Sequence, residues 1–241
     1  MSTGLFNCFV INVETNFKRR KSVETSLDKQ KIQFNWVKAI TPTDTRIENL
    51  GNLQPVARAV WESHLKCLKL ASESSLYSLI LEDDSEIKLS NSQVLRIIDE
   101  MKRNRLDFMQ IGFLHLHIVD VVSIHVRNFH NLLLKKRVFG SVLSFFGFQE
   151  GIRSKNQYWR SEIPSDFILN DIRYGAHAYI ISPQFSKRIS QLNSPTFLAA
   201  DDFFVSLGKM KSFRMARLRK SLVSQGSFES SFDVRYGIDL E

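Results

Sequence analysis

The chain has 241 residues, 43% hydrophobic and 24% charged, with a formal net charge of +8. That composition buries a substantial core and excludes a disordered chain. No stretch approaches the roughly 20 apolar residues that span a bilayer, and the first residues lack a basic region followed by an apolar one, so cytoplasmic residence is expected.

Phe6 to Val13 reads as a strand. Lys18 to Lys31 reads as a helix with Phe17, Val23 and Leu27 on its apolar stripe, and Phe34 to Ile40 as a second strand. Strand, helix, strand opens a parallel α/β sheet with a right-handed crossover. After the polar segment Thr41 to Leu53, Pro55 suits a first helical turn. Val60, His64, Leu68 and Ala71 then recur at helical spacing to about Ser75. A third strand is expected at Leu76 to Leu81, a helix through Val94, Ile97, Ile98 and Met101, and a strand at Phe108 to Phe113.

Residues 115–164 are irregular, mixing basic, aromatic and Gly residues as an insertion or lid covering a site would, and equally as an irregular subdomain with no special role would. Tyr174 to Ser182 is a strand candidate that leads through Pro183 into a helix at Gln184 to Leu192. The expected organisation is one domain over 1–208, with 115–164 as the insertion, followed by a basic C-terminal tail over 209–241. Cys8 and Cys67 sit within apolar patterns and read as buried free thiols.

The positive charge favours polyanionic partners. Lys135 to Arg137 before an apolar run, and the basic segment Lys209 to Lys220, have the composition of interfacial membrane helices and equally of solvated faces on core helices. An anionic membrane surface, the inner face of the cytoplasmic membrane, is the partner they suggest. No zinc-finger, RNA-recognition or helix-turn-helix signature accompanies them, so nucleic acid is not expected.

The segment that carries chemistry is Ser78-Leu79-Ile80-Leu81-Glu82-Asp83-Asp84, an apolar run that ends in three acids. In open α/β sheets ligands bind at the carboxyl ends of strands. Adjacent carboxylates repel unless something positive lies among them. Such hard oxygen donors suit Mg²⁺ or Mn²⁺, with substrate phosphates and water in the remaining positions; taken alone, the same triplet is also what a plain acidic turn looks like. Asp201 and Asp202 form a second acidic pair, either reactive or an N-terminal cap for a helix beginning near Phe203. His115 and His117 share one face of a strand, and with Asp120 they make only an incomplete metal set.

Four separated segments resemble glycosyltransferase family 25, which includes bacterial lipooligosaccharide galactosyltransferases and collagen galactosyltransferases. Val10-Ile11-Asn12-Val13 followed by Arg19-Arg20 is similar to the family's opening strand and arginine-bearing helix start. Ser63-His64-Leu65 is similar to its Ser-His motif, Leu79 to Asp84 to its Leu-Glu-Asp-Asp motif, and Gly175 to Ser182 to its late Gly-x-x-Ala-Tyr-x-x-Ser strand. Asp201 falls where the family has an Asp. Two departures stand out: Ala57 occupies a position where the family usually has an acid, with Arg58 beside it, and Thr41-Pro42 replaces a Gly.

The resemblance implies a GT-A-like, Rossmann-type mixed sheet flanked by helices. It also implies inverting transfer of a hexose, galactose from UDP-galactose, to a lipooligosaccharide, lipopolysaccharide or related cell-surface glycan. Asp84 would be the ligand to Mn²⁺ or Mg²⁺. Asn12, Arg19, His64, Glu82, Asp83 and Gly175 would bind the nucleotide sugar, and Asp201 or Asp202 would take the acceptor's proton. The same acids also fit a metal-dependent phosphohydrolase or nucleotidyltransferase, and a non-enzymatic basic membrane-binding module would leave them structural.

Overall fold

The computed structural model describes residues 5–44, 53–114, 166–192, 196, 198–210 and 212–226. All of them belong to a unit built from residues 1–114 and 165–241. The expected insertion over 115–164, with His115, His117, Asp120 and the basic run at 135–137, lies outside the described residues, as does 227–241.

The strands are β1 (Asn7–Asn12), β2 (Asn35–Lys38), β3 (Ser78–Glu82), β4 (Ser85–Ile87), β5 (Phe108–Gly112), β6 (Phe167–Leu169), β7 (Ala178–Ile181), β8 (Met215–Leu218) and β9 (Val223–Gln225). The helices are α1 (Phe17–Lys29), α2 (Pro55–Ser72), α3 (Asn91–Arg103), α4 (Pro183–Ile189) and α5 (Ala200–Met210). The strands form one mixed sheet in the order β2-β1-β3-β7-β5-β8-β6, with β4 and β9 paired beside it. β1 pairs in parallel with both β2 and β3, and β7 runs antiparallel between β3 and β5. This is the α/β sheet flanked by helices that the periodicity calls for.

Each element has a local cause. Leu79, Ile80 and Leu81 are at most 1% exposed, which explains why β3 reads as a continuous apolar run rather than an alternating one. Asn16 caps α1 by accepting from the Arg19 N–H, Pro55 starts α2, and Ser90 with Gln93 forms a reciprocal capping box on α3. Trp61 of α2 packs against Phe203 and Phe204 of α5, and Phe204 continues through Phe108 and Tyr179 on the sheet. The chain leaves β1 toward β2 through α1 and crosses back to β3 through α2. With right-handed crossovers, those two helices lie on opposite faces and open a crevice at the carboxyl ends of β1 and β3.

Three expectations need correction. Phe17 is 74% exposed, so the buried stripe of α1 is only Val23 and Leu27. The helix expected near Phe203 begins at Ala200, placing Asp201 and Asp202 in its first turn rather than at its cap. Residues assigned to a basic tail form β8 and β9 of the sheet itself. Within β8, Arg217 is buried because Asp171 accepts from its guanidinium and Phe113 lies 5.2 Å beneath it.

Candidate functional site

The acid triplet sits at the crevice, where β3 turns into β4. Its three carboxylates face three different sets of partners. Asn12, the last residue of β1, donates from Nδ2 to Asp83 Oδ2 at 2.8 Å. Arg19, in the first turn of α1, donates from Nη1 to Asp83 Oδ1 at 3.2 Å and lies 3.7 Å from Asp84 Oδ2. Arg19 is therefore the positive group that three adjacent acids require.

Asp84 is held from the other side. Gln225 of β9 donates from Nε2 to Asp84 Oδ2 at 2.8 Å, and the Gly226 N–H donates to its backbone carbonyl at 2.6 Å. Its second oxygen, Oδ1, is buried with no hydrogen-bond partner among the described residues. Burial and the nearby Glu82 charge push the Asp84 carboxyl up to about 6, and burial also raises Asp83 against the opposing pull of Asn12 and Arg19.

Glu82 turns toward α2, where His64 Nε2 meets Oε1 at 3.1 Å. His64, expected to contact the donor, is fully buried, and both ring nitrogens are engaged, Nε2 with Glu82 and Nδ1 with the Tyr179 hydroxyl at 2.9 Å. Tyr179, expected to pack, does so while also supplying that bond.

The start of β7 completes the edge. Gly175 has φ +101°, and a Cβ there would stand 2.8 Å from the Leu114 nitrogen, so backbone geometry alone requires glycine. Its neighbour Ala176 donates its N–H to Asp201 Oδ1 at 2.7 Å, which ties the first turn of α5 to the site edge. Asp202 follows it, half-buried, on the same turn. Ala57 and Arg58, the departure noted above, are both buried in the first turns of α2.

Two residues were not singled out by sequence. Gln225 lies in a segment read as tail, and nothing local marks it as a partner of Asp84. His177 is buried; its Nε2 bonds the Val223 carbonyl at 3.2 Å, while Nδ1 has no partner among the described residues. The signal for His177 was its place inside the late strand motif.

The edge thus carries three carboxylates, an arginine and a buried carboxylate oxygen without a partner among the described residues, at the carboxyl ends of strands, where open α/β sheets bind ligands. The family model for glycosyltransferase family 25, described as an LPS biosynthesis protein, matches residues 6–204. The chain belongs to that family and is a glycosyltransferase. No curated protein sequence matches it. Among solved structures, the crystal structure of the galactosyltransferase LgtC in complex with donor and acceptor sugar analogues is similar at 12% identity, covering 92% of this chain and 87% of that one, with a TM-score of 0.42. Among the described residues no helix is long and apolar enough to cross a membrane.

Proposed function

We propose that this glycosyltransferase transfers a hexose, galactose from UDP-galactose, with inversion, onto a lipooligosaccharide, lipopolysaccharide or related glycan. The observation that carries the reading is the Asp84 carboxylate. It is anchored by Arg19 and Gln225 through one oxygen, with the other left bare and buried at the crevice between β1 and β3.

A divalent cation fits there in a restricted way. Both oxygens of Asp83 are taken by Asn12 and Arg19, and no group of three His, Cys, Asp or Glu side chains among the described residues is arranged to hold a metal. Asp84 Oδ1 is the donor atom that would hold Mn²⁺ or Mg²⁺, and diphosphate oxygens and water would fill the other positions. The ion would supply charge to the diphosphate as it leaves the anomeric carbon.

The chain's own residues do the rest. Asn12, at the end of β1, and Arg19 hold Asp83 just beyond the end of β3, on the nucleotide side. Arg19 also places positive charge where the diphosphate would lie. Asp201, tied by the Ala176 N–H to the segment entering β7, and Asp202 beside it in the first turn of α5 stand on the side from which an acceptor hydroxyl would approach, and one of them takes its proton as the new glycosidic bond forms. Asp201, with Oδ1 fixed by Ala176, is the better-placed base.

The test is transfer from a panel of UDP-hexoses with Mn²⁺ and with chelator. Asp84→Asn is expected to lower transfer at least 100-fold while the protein stays folded. Metal-dependent transfer left intact in that variant would overturn the assignment of Asp84.

A further inference from the structure

On the α2 side of the acid turn, side chains from three elements form a bonded row that runs from the core out to the site. Tyr179 of β7 and His64 of α2 are fully buried, and Glu82 at the end of β3 is the member with accessible side-chain surface, 21%. The two bonds in the row are 2.9 Å and 3.1 Å.

The protons in this row have one arrangement for a neutral ring. A carboxylate only accepts, so His64 carries its hydrogen on Nε2 and donates it to Glu82. Nδ1 is then an acceptor, filled by the hydroxyl of Tyr179, which burial keeps protonated. The imidazole is also boxed by rings, with Tyr179 at 5.7 Å and Phe204 at 6.4 Å between centroids. It has neither a second tautomer that satisfies both neighbours nor room to swing. A core needs no such row, because apolar side chains of similar shape would fill the space without burying polar atoms. What the row achieves is a fixed direction for one surface carboxylate.

Its place along the sheet edge suggests what that carboxylate meets. Asn12 and Arg19 lie on the β1 side of β3, and the Ala176–Asp201 bond lies at the start of β7, on the other side. In an inverting transfer the leaving diphosphate and the attacking hydroxyl stand on opposite sides of the anomeric carbon. A diphosphate on the β1 side and a base on the β7 side leave the sugar over the end of β3, beside Glu82.

We propose that His64 and Tyr179 are positioning residues for sugar recognition, holding Glu82 so that its carboxylate accepts a hydrogen bond from a hydroxyl of the transferred hexose. The proposal rests on the transferase reading above. It makes sugar choice depend on two residues that never touch the sugar, since a carboxylate fixed in direction rewards a hydroxyl of one stereochemistry over its epimer.

The experiment compares binding of UDP, UDP-galactose and UDP-glucose by calorimetry for the wild type, Tyr179→Phe, His64→Gln, His64→Ala and Glu82→Gln, with cooperative melting as the check on folding. In Tyr179→Phe, UDP affinity is expected to stay within about twofold, while the preferred UDP-hexose weakens about 5- to 20-fold and the preference between epimers narrows. His64→Gln, whose amide still donates to Glu82, is expected to recover most of what His64→Ala loses. Long-range proton–nitrogen spectra are expected to show the single Nε2-protonated form of His64 in the wild type and its loss in Tyr179→Phe. Equal losses for UDP and UDP-hexose, or no loss for either, would overturn the positioning role while leaving the transferase reading in place. A wild type that binds none of the three would instead sink the transferase reading, and this proposal with it.

Discussion

Asp84 is a buried carboxylate whose charge acts against the stability of its own fold. Its side chain is 7% exposed, its neighbours include two more acids, and its pKa stands at about 6 against an ordinary 3.8. Because the folded state holds the proton more tightly than the unfolded chain, the stability this group confers is fully present below about 4 and lost as pH rises through about 6. Above that range the ionised group costs up to about 3 kcal/mol. Asp84→Asn should therefore melt higher than the wild type at pH 7.5 in chelator, by about 5–10 °C, with the gap closing as pH falls toward 4. A gap that stays constant with pH would show that burial of charge is not its cause. The same variant is expected to lose transfer, so activity and stability should move in opposite directions at this residue.

Glycines and short strands decide what the elements can present. Gly112 ends β5 where a Cβ would come within 2.6 Å of His177 Nε2 and 2.8 Å of Ala178 Cβ, and Gly175 combines φ +101° with the Leu114 backbone in the way. Gly175→Ala is expected to cost about 1–3 kcal/mol and to lower transfer more than UDP affinity, because the neighbouring Ala176 N–H that holds Asp201 shifts with the turn. A melting change without a kcat change would separate Asp201 from the chemistry. Much of the scaffold was legible in the sequence for physical reasons: β1, β3 and β5 are buried on both faces and read as apolar runs, and α2 and α3 carry clear 3.6-residue stripes. What was not legible has equally plain causes. β4, β6 and β9 are three residues each, too short for any period. β8 reads as basic because Arg217 is stabilised by Asp171, 46 residues away, and by the ring of Phe113. The stripe through Val60, His64, Leu68 and Ala71 already turned His64 inward, whereas the pairing of Arg19 with Asp83 and of Gln225 with Asp84 depends on contacts between segments far apart in sequence.

At the scale of the whole molecule, the sheet is closed by its latest residues. β8 fills the position between β5 and β6, and β9 bridges β4 and β5, so the early acid turn and the late segment form one structure. Phe213, Met215, Leu218 and Val223 are each at most 5% exposed. Burying a side chain of this kind contributes about 1.5–3 kcal/mol, and four together reach the net stability of a typical domain, about 5–15 kcal/mol. A chain ended after Met210 would lose that burial, uncover one edge of β5, leave β6 without its partner and remove Gln225 from Asp84. It is expected to show no cooperative melt and no UDP binding. A folded, nucleotide-binding protein from that truncation would mean that β8 and β9 are accessory; its failure, set beside a folded Gln225→Ala that loses transfer, would show that the same late strands both complete the core and aim the Asp84 carboxylate.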